Sequence, residues 1–152
     1  MQKLLDWLAE IPDPEIPVIN IIELGMVRRV EVIGDHHCRV EITPTYSACP
    51  AMWMVEKEIA RKLKDEGWQS EIVKVLSPAW TTDWMNDATK EKLKKYGIAP
   101  PLSRNQEDTQ PKICPRCHST HTRLLSRFGS TLCKATYQCL DCLEPFDYFK
   151  CH

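Results

Sequence analysis

Apolar residues recur along the first two-thirds of the chain at two spacings, and each spacing predicts its own kind of element. Leu4, Leu5, Trp7, Leu8 and Ile11 fall at helical intervals, and Pro12 closes that short helix. After a proline-punctuated loop, Asp13-Pro14-Glu15-Ile16-Pro17, residues 27–33 read as a strand. Gly34-Asp35 reads as a turn, and Cys38, Val40 and Ile42 alternate with Arg39, Glu41 and Thr43 on the returning strand. The stretch Thr45-Tyr46-Ser47-Ala48-Cys49-Pro50 then leads into a helix of about four turns, with Met52, Val55, Ile59 and Leu63 on one face and Gly67 closing it. Residues 72–76 read as a third strand. A loop from Ser77 to Met85, with Asp83 as a candidate cap, opens into a last helix that ends at Tyr96 before Gly97. The order α-β-β-α-β-α predicts a small α+β sandwich with helices on one face of a sheet.

The pattern lapses between residues 99 and 111, where prolines bound a polar stretch of linker composition. Three segments are therefore expected: a domain over 1–98, a linker over 99–111 and a second domain over 112–152. Composition sharpens that division. Residues 1–111 carry 14 Lys+Arg against 18 Asp+Glu and two cysteines, Cys38 and Cys49, whereas residues 112–152 carry 6 against 3 and the other six of the eight cysteines. So short a tail rarely builds a sufficient core from apolar burial alone, and its cysteines point to a staple. The residues from Met1 carry Asp6 and Glu10 where a secretion signal needs an unbroken apolar run, so a cytoplasmic protein is expected and metal is preferred to disulfides. No apolar run approaches the ~18 residues that span a bilayer, which excludes a helical membrane anchor here.

The tail carries the most specific chemistry. Cys114-Pro115-Arg116-Cys117 and Cys139-Leu140-Asp141-Cys142 are two C-x2-C pairs with 21 residues between them. Two such turns on opposed hairpins present four thiolates in a tetrahedron, the arrangement of a zinc ribbon, and residues 122–128 and 136–138 read as its strands. Four thiolates also suit iron or an iron–sulfur cluster, and Cys133-x5-Cys139-x2-Cys142 is one residue from the plant-type ferredoxin spacing. Cys133 and Cys151 are left over from the zinc count as accessory thiols, either buried, supporting the site or redox-active. Lys112, Arg116, Arg123, Arg127 and Lys134 could serve a nucleic-acid module, but a balance of +3 argues against that partner, and Tyr137, Phe146, Tyr148 and Phe149 read as core.

In the larger domain, Cys49 precedes Pro50 and the amphipathic helix, which places it at the helix N-cap. Free amides and the positive end of the dipole there stabilise a thiolate, so Cys49 is a candidate metal ligand or nucleophile; the alternative is a small buried side chain. Cys38 reads as core. Asp13 and Glu15 could help hold a cation or move a proton near that thiolate, the alternative being a capped turn with solvated acids. Trp80 and Trp84 read as packing residues, with a docking surface as the alternative. No Gly-rich nucleotide signature is present, and no Glu is followed three residues later by His, so a carboxylate-bridged di-iron centre cannot be drawn from this chain. The protein is not expected to be catalytic by itself.

Asp13-Pro14-Glu15-Ile16-Pro17, Leu24-Gly25-Met26-Val27 and Ser47-Ala48-Cys49-Pro50, in that order, resemble the metal–sulfur cluster assembly domain family, small α+β proteins implicated in iron–sulfur protein maturation. Residues 43–47, 78–85 and 144–151, together with the cysteine tail, narrow the resemblance to the D subunits of bacterial 1,2-phenylacetyl-CoA epoxidase systems. The resemblance implies an accessory role in aerobic phenylacetate degradation, beside a di-iron oxygenase subunit and a flavin and [2Fe-2S] reductase subunit. It further implies Cys49 as the reactive cysteine, Asp13 and Glu15 as the acidic motif, and Cys114, Cys117, Cys139 and Cys142 as zinc-type ligands. Three readings stay open: a factor that handles iron or a cluster transiently, a structural or regulatory subunit, and a thiol-redox or electron-transfer protein.

Overall fold

The computed structural model describes residues 1–45, 51–103, 106 and 109–150. The chain forms two compact units, Met1–Trp84 and Met85–His152.

The first unit sets two helices, α1 (Gln2–Leu8) and α2 (Met52–Asp65), with a three-stranded sheet in the order β1 (Val27–Gly34), β2 (His37–Ile42), β3 (Gln69–Lys74). β1 and β2 form an antiparallel hairpin, whereas β2 and β3 are parallel, so α2 is the crossover between them. The alternation along β2 is realised: Cys38, Val40 and Ile42 are buried, and Arg39 on the other face pairs with Glu71 at 3.1 Å. Met52, Val55, Ile59 and Leu63 of α2 are buried as their spacing predicts, and α2 packs on α1 and β3. Each such fully buried aliphatic contributes roughly 1.5–3 kcal/mol. β3 begins three residues before the expected strand, because Gln69, Ser70 and Glu71 extend the ladder with β2 while exposing polar side chains at the sheet edge.

The second unit opens with α3 (Asp87–Tyr96). Its N-cap is Asn86, whose side-chain oxygen accepts from the Thr89 amide at 2.8 Å, and Gly97 ends it at φ +96°. Asp83 is not the cap; it lies in a separate 3-10 turn, Thr82–Trp84. Beyond Gly97, β4 (Ile98–Ala99) pairs parallel with β7 (Pro145–Phe149), and β6 (Lys134–Cys139) and β5 (Thr122–Ser126) complete a sheet in the order β4-β7-β6-β5. Thus Ala99, the first residue of the expected linker, is a strand residue. Packing groups α3 with the ribbon rather than with the first sheet, although its periodicity alone places it in the α-β-β-α-β-α unit. One core cluster of the second unit comprises Ala99, Cys114, Cys139, Phe146 and Tyr148, with Tyr137 and Cys142 packed against them; Leu93, Ile98, Ala135 and Phe149 are buried as well.

Candidate functional site

The four tail cysteines converge because each C-x2-C pair folds into the same local turn. The Cys114 amide donates to the Ser119 carbonyl at 3.0 Å, and the Cys139 amide donates to the Glu144 carbonyl at 3.0 Å. In both turns the residue four places after the first cysteine is left-handed, His118 at φ +63° and Leu143 at φ +65°, which reverses the chain. The result brings Cys114 Sγ to 3.7 Å from Cys142 Sγ and Cys117 Sγ to 3.5 Å from Cys139 Sγ, with all four sulfurs within 4.8 Å of one another. A tetrahedron with metal–sulfur bonds of ~2.3 Å has sulfur–sulfur edges of about 3.8 Å, so the donor set fits a closed four-thiolate site.

Electrostatics in the cluster call for a cation. The Cys142 amide, helped by that of Asp141, draws the Cys139 thiol down to about 6 against the opposing effect of burial. The Ser119 amide lowers Cys117 in the same way, but the neighbouring Cys139 sulfur and burial outweigh it and push that thiol up to about 12. One sulfur ionises readily and its charge holds a neighbour protonated; a bound soft metal ion accepts all four as thiolates.

Two polar straps cross from one turn to the other. On one side Asp141 accepts from the Ser119 hydroxyl and lies 3.4 Å from His121 Nδ1; on the other, Arg116 pairs with Glu144 at 2.7 Å. Neither strap stands out in the sequence as a support of the site. Their only local signals are an acid inside the second turn and a base inside the first.

The ferredoxin-like triplet is not assembled. Cys133 immediately precedes β6, whereas Cys139 ends it, and six strand residues span about 20 Å. Cys133 is buried, its sulfur 3.0 Å from the Thr131 hydroxyl, and it stands outside the four-sulfur cluster. Cys151 lies outside the described residues.

In the first unit, Asp13 is buried and turns inward on its own loop. Its Oδ2 accepts from the amides of Glu15 at 2.9 Å and Ile16 at 2.8 Å, while the Asp13 amide donates to the Ile19 carbonyl at 2.8 Å. Glu15 is half-buried. That loop runs into a corner at Gly25, φ +81°, where the Trp80 indole donates to the Leu24 carbonyl at 2.8 Å and a Cβ on Gly25 would stand 3.2 Å from Trp84 Cβ. Trp80 is buried and the Arg28 guanidinium lies 4.2 Å over the Trp84 ring, so both tryptophans pack as expected.

The Gly25 corner stands beside one end of the sheet. The Met26 carbonyl accepts from the Thr43 amide, and the Thr43 hydroxyl donates to the Val75 carbonyl, both at 2.8 Å. The crossover topology brings the start of α2 to the same end, since α2 must run back from the end of β2 to the start of β3. Cys49 and Pro50 lie outside the described residues; the helix itself begins at Met52 with Ala51 as its N-cap, so the N-cap position expected for Cys49 falls two residues later. Cys38 is buried, its sulfur 3.6 Å from the Gln69 carbonyl, and burial pushes that thiol up. Among the described residues no helix is long and apolar enough to cross a membrane.

Comparison with known proteins divides the chain in a similar way. The family described as iron–sulfur cluster assembly protein matches residues 1–76, and the PaaD zinc beta ribbon domain matches residues 98–150. The chain is 49% identical over 147 residues, 95% of its length and 88% of the relative's, to an Escherichia coli (strain K12) protein provisionally named as the D subunit of 1,2-phenylacetyl-CoA epoxidase. It is 34% identical over 80 residues, 51% of this chain and 90% of that protein, to the Fe-S protein maturation auxiliary factor SufT of Staphylococcus aureus (strain USA300). Among solved structures, a domain of unknown function, DUF59, from Bacillus anthracis shares the fold with a TM-score of 0.57 at 24% identity, covering 60% of this chain and 89% of that one.

Proposed function

Because the chain belongs to the iron–sulfur cluster assembly protein family and carries the PaaD zinc ribbon, we propose that it is an accessory subunit of a phenylacetyl-CoA ring-epoxidising oxygenase that helps mature the oxygenase's iron or iron–sulfur centres in the cytoplasm. The observation that carries this reading is the near full-length likeness to the Escherichia coli protein provisionally named as that D subunit, joined to the iron–sulfur cluster assembly family match over residues 1–76. In this reading Cys49 is the soft ligand for iron or a cluster in transit. Asp13 shapes its own loop through the Glu15 and Ile16 amides, and Glu15 supplies the carboxylate of the acidic motif. The ribbon holds zinc through Cys114, Cys117, Cys139 and Cys142; zinc is preferred because residues 98–150 match the PaaD zinc beta ribbon and the four sulfurs form a closed donor set. When bound, the ion neutralises the thiolates and ties the two turns together, which is structural rather than catalytic work. The partners are the di-iron oxygenase and reductase subunits.

A second reading, a structural subunit with an inert Cys49, draws support from the inward-turned, capped carboxylate of Asp13. Co-expression of the epoxidase components with wild-type or Cys49→Ala protein separates the two. Maturation predicts partners that still bind the variant but emerge low in iron or sulfide and in activity. Full metal content and activity with Cys49→Ala would overturn it, and loss of complex formation would favour the structural subunit.

A further inference from the structure

The ribbon leaves one strand edge open beside two exposed arginines. From residue 109 to 140 the chain holds five Lys and Arg and not one Asp or Glu; Lys112 and Lys134 are buried and Arg116 pairs with Glu144, which leaves Arg123 and Arg127 exposed at this edge. β5 lies in this stretch at the end of the sheet order, so among the described residues its outer edge has no neighbour within the sheet, and four of its five residues are exposed. Unpaired edges accept strands from other chains.

The two faces of that edge ask for different side chains. On one face, Leu124 stands opposite Tyr137, which stacks on Phe146 and meets Tyr148 edge-on. Leu124 therefore carries the core face beyond the last strand, and it is 46% exposed because nothing continues the layer. On the other face, Arg123 stands opposite Gln138 and donates to its Oε1 at 2.8 and 3.2 Å, a neutral partner that leaves the charge uncompensated. Among the described residues no carboxylate forms an ion pair with Arg123 or Arg127. A bulge between Leu124 and Ser126 interrupts the register, which confines regular pairing to the first half of the strand.

We propose that the outer edge of β5 docks an extended segment of a partner protein in which apolar and acidic residues alternate, the apolar ones covering Leu124 and the acidic ones meeting Arg123. A second copy of this chain fits poorly, since antiparallel pairing of β5 with itself about Leu125 sets Arg123 against Arg127 of the other copy. Nucleic acid fits less well too: the exposed apolar side chains of β5 and the loop after it include Leu124, Leu125 and Leu132, and the exposed aromatic there, Phe128, has the Lys150 ammonium 4.6 Å from its ring centroid. The proposal stands whether or not the protein matures metal centres, so either can fail alone.

The test uses the metal-loaded full chain and a fluorescent ten-residue peptide of alternating Glu and Val, read by anisotropy. Binding is expected, weakened about tenfold or more by Arg123→Glu and by Leu124→Glu in protein of unchanged metal content. It is also expected to be lost when Lys replaces Glu in the peptide, or when alternate peptide amides are N-methylated to block pairing. The N-methylated peptide tests the pairing without altering the protein. Failure to bind, equal binding of the N-methylated or Lys peptide, displacement by a single-stranded oligothymidylate at lower concentration, or a self-associated chain whose dimer is broken by Arg123→Glu would each overturn the proposal.

Discussion

The two units of this chain are held together by different means. Met1–Trp84 buries a broad aliphatic core, in which Leu4, Leu8, Ile16, Ile19, Ile21, Ile42, Ile59 and Leu63 are almost wholly removed from water. In Met85–His152 fewer apolar side chains are buried among the described residues, including Leu93, Ile98, Phe146, Tyr148 and Phe149, and the cluster beside the four sulfurs counts Cys114 and Cys139 among its five buried residues. The contrast points to what a metal would add: around the four sulfurs the packed layer is thin, and an ion there would help offset the entropy of ordering the two turns. Much of the ribbon's cohesion would then sit at one point, whereas that of the first unit is spread over many side chains.

The sharpest way to break this contrast is to remove the point. Cys139→Ser should release the metal and melt β5, β6 and β7 while the amides of β2 and α2 stay protected, as hydrogen exchange would register strand by strand. Structural zinc contributes ~10–16 kcal/mol in small domains, so partial loss is not the expected outcome. A ribbon still protected without metal would show that Phe146 and Tyr148 hold it unaided. The reciprocal change, Leu63→Ala, deletes one buried side chain among many. It should destabilise the first unit by ~2–5 kcal/mol in denaturant melts and leave metal content unchanged.

A third substitution sharpens the contrast instead of breaking it. Asp141→Asn keeps the four ligands but weakens the strap to Ser119 and His121, and changes of this kind typically cost about 10–100-fold in metal affinity. Competition with a chromogenic chelator would read it. The Ser119 hydrogen bond, with His121 beside it, holds the Asp141 carboxyl below its usual range. Its anionic contribution is therefore present above the ordinary aspartate pKa and fades as pH falls through the lowered value. Wild type and variant should accordingly converge in strong acid, where the ligands themselves also protonate. An unchanged affinity at neutral pH would mean that the turns are set by their backbones alone.

What could be read from the sequence follows the same division between local and distant causes. The clustering of the four cysteines was legible because each turn closes on itself within six residues, from Cys114 to Ser119 and from Cys139 to Glu144. The straps were not, since Ser119 meets Asp141 only once the two turns face each other. α2 was legible from Met52, Val55, Ile59 and Leu63, whereas the start of β3 was hidden by polar residues that an edge strand tolerates. The end of α3 at Gly97 was read correctly, but its cap is Asn86 because Thr82–Trp84 forms its own turn. Its grouping with the ribbon depends on Ile98 and Ala99 meeting Asp147 and Tyr148, a pairing almost fifty residues distant that no window of the sequence contains.

That two-residue strand bears on how such a ribbon could pass between proteins. A transplant cut at Lys112 would carry all four ligands yet leave behind the strand that flanks β7, and with it the Ala99 side chain that packs in the metal-side core. The smallest heritable module therefore begins ahead of Ile98, well before the first cysteine. The match of the zinc beta ribbon family from residue 98 has the same outline. Recombination or protein engineering that respects the cysteine motif alone would move the ligands without the shoulder they lean on.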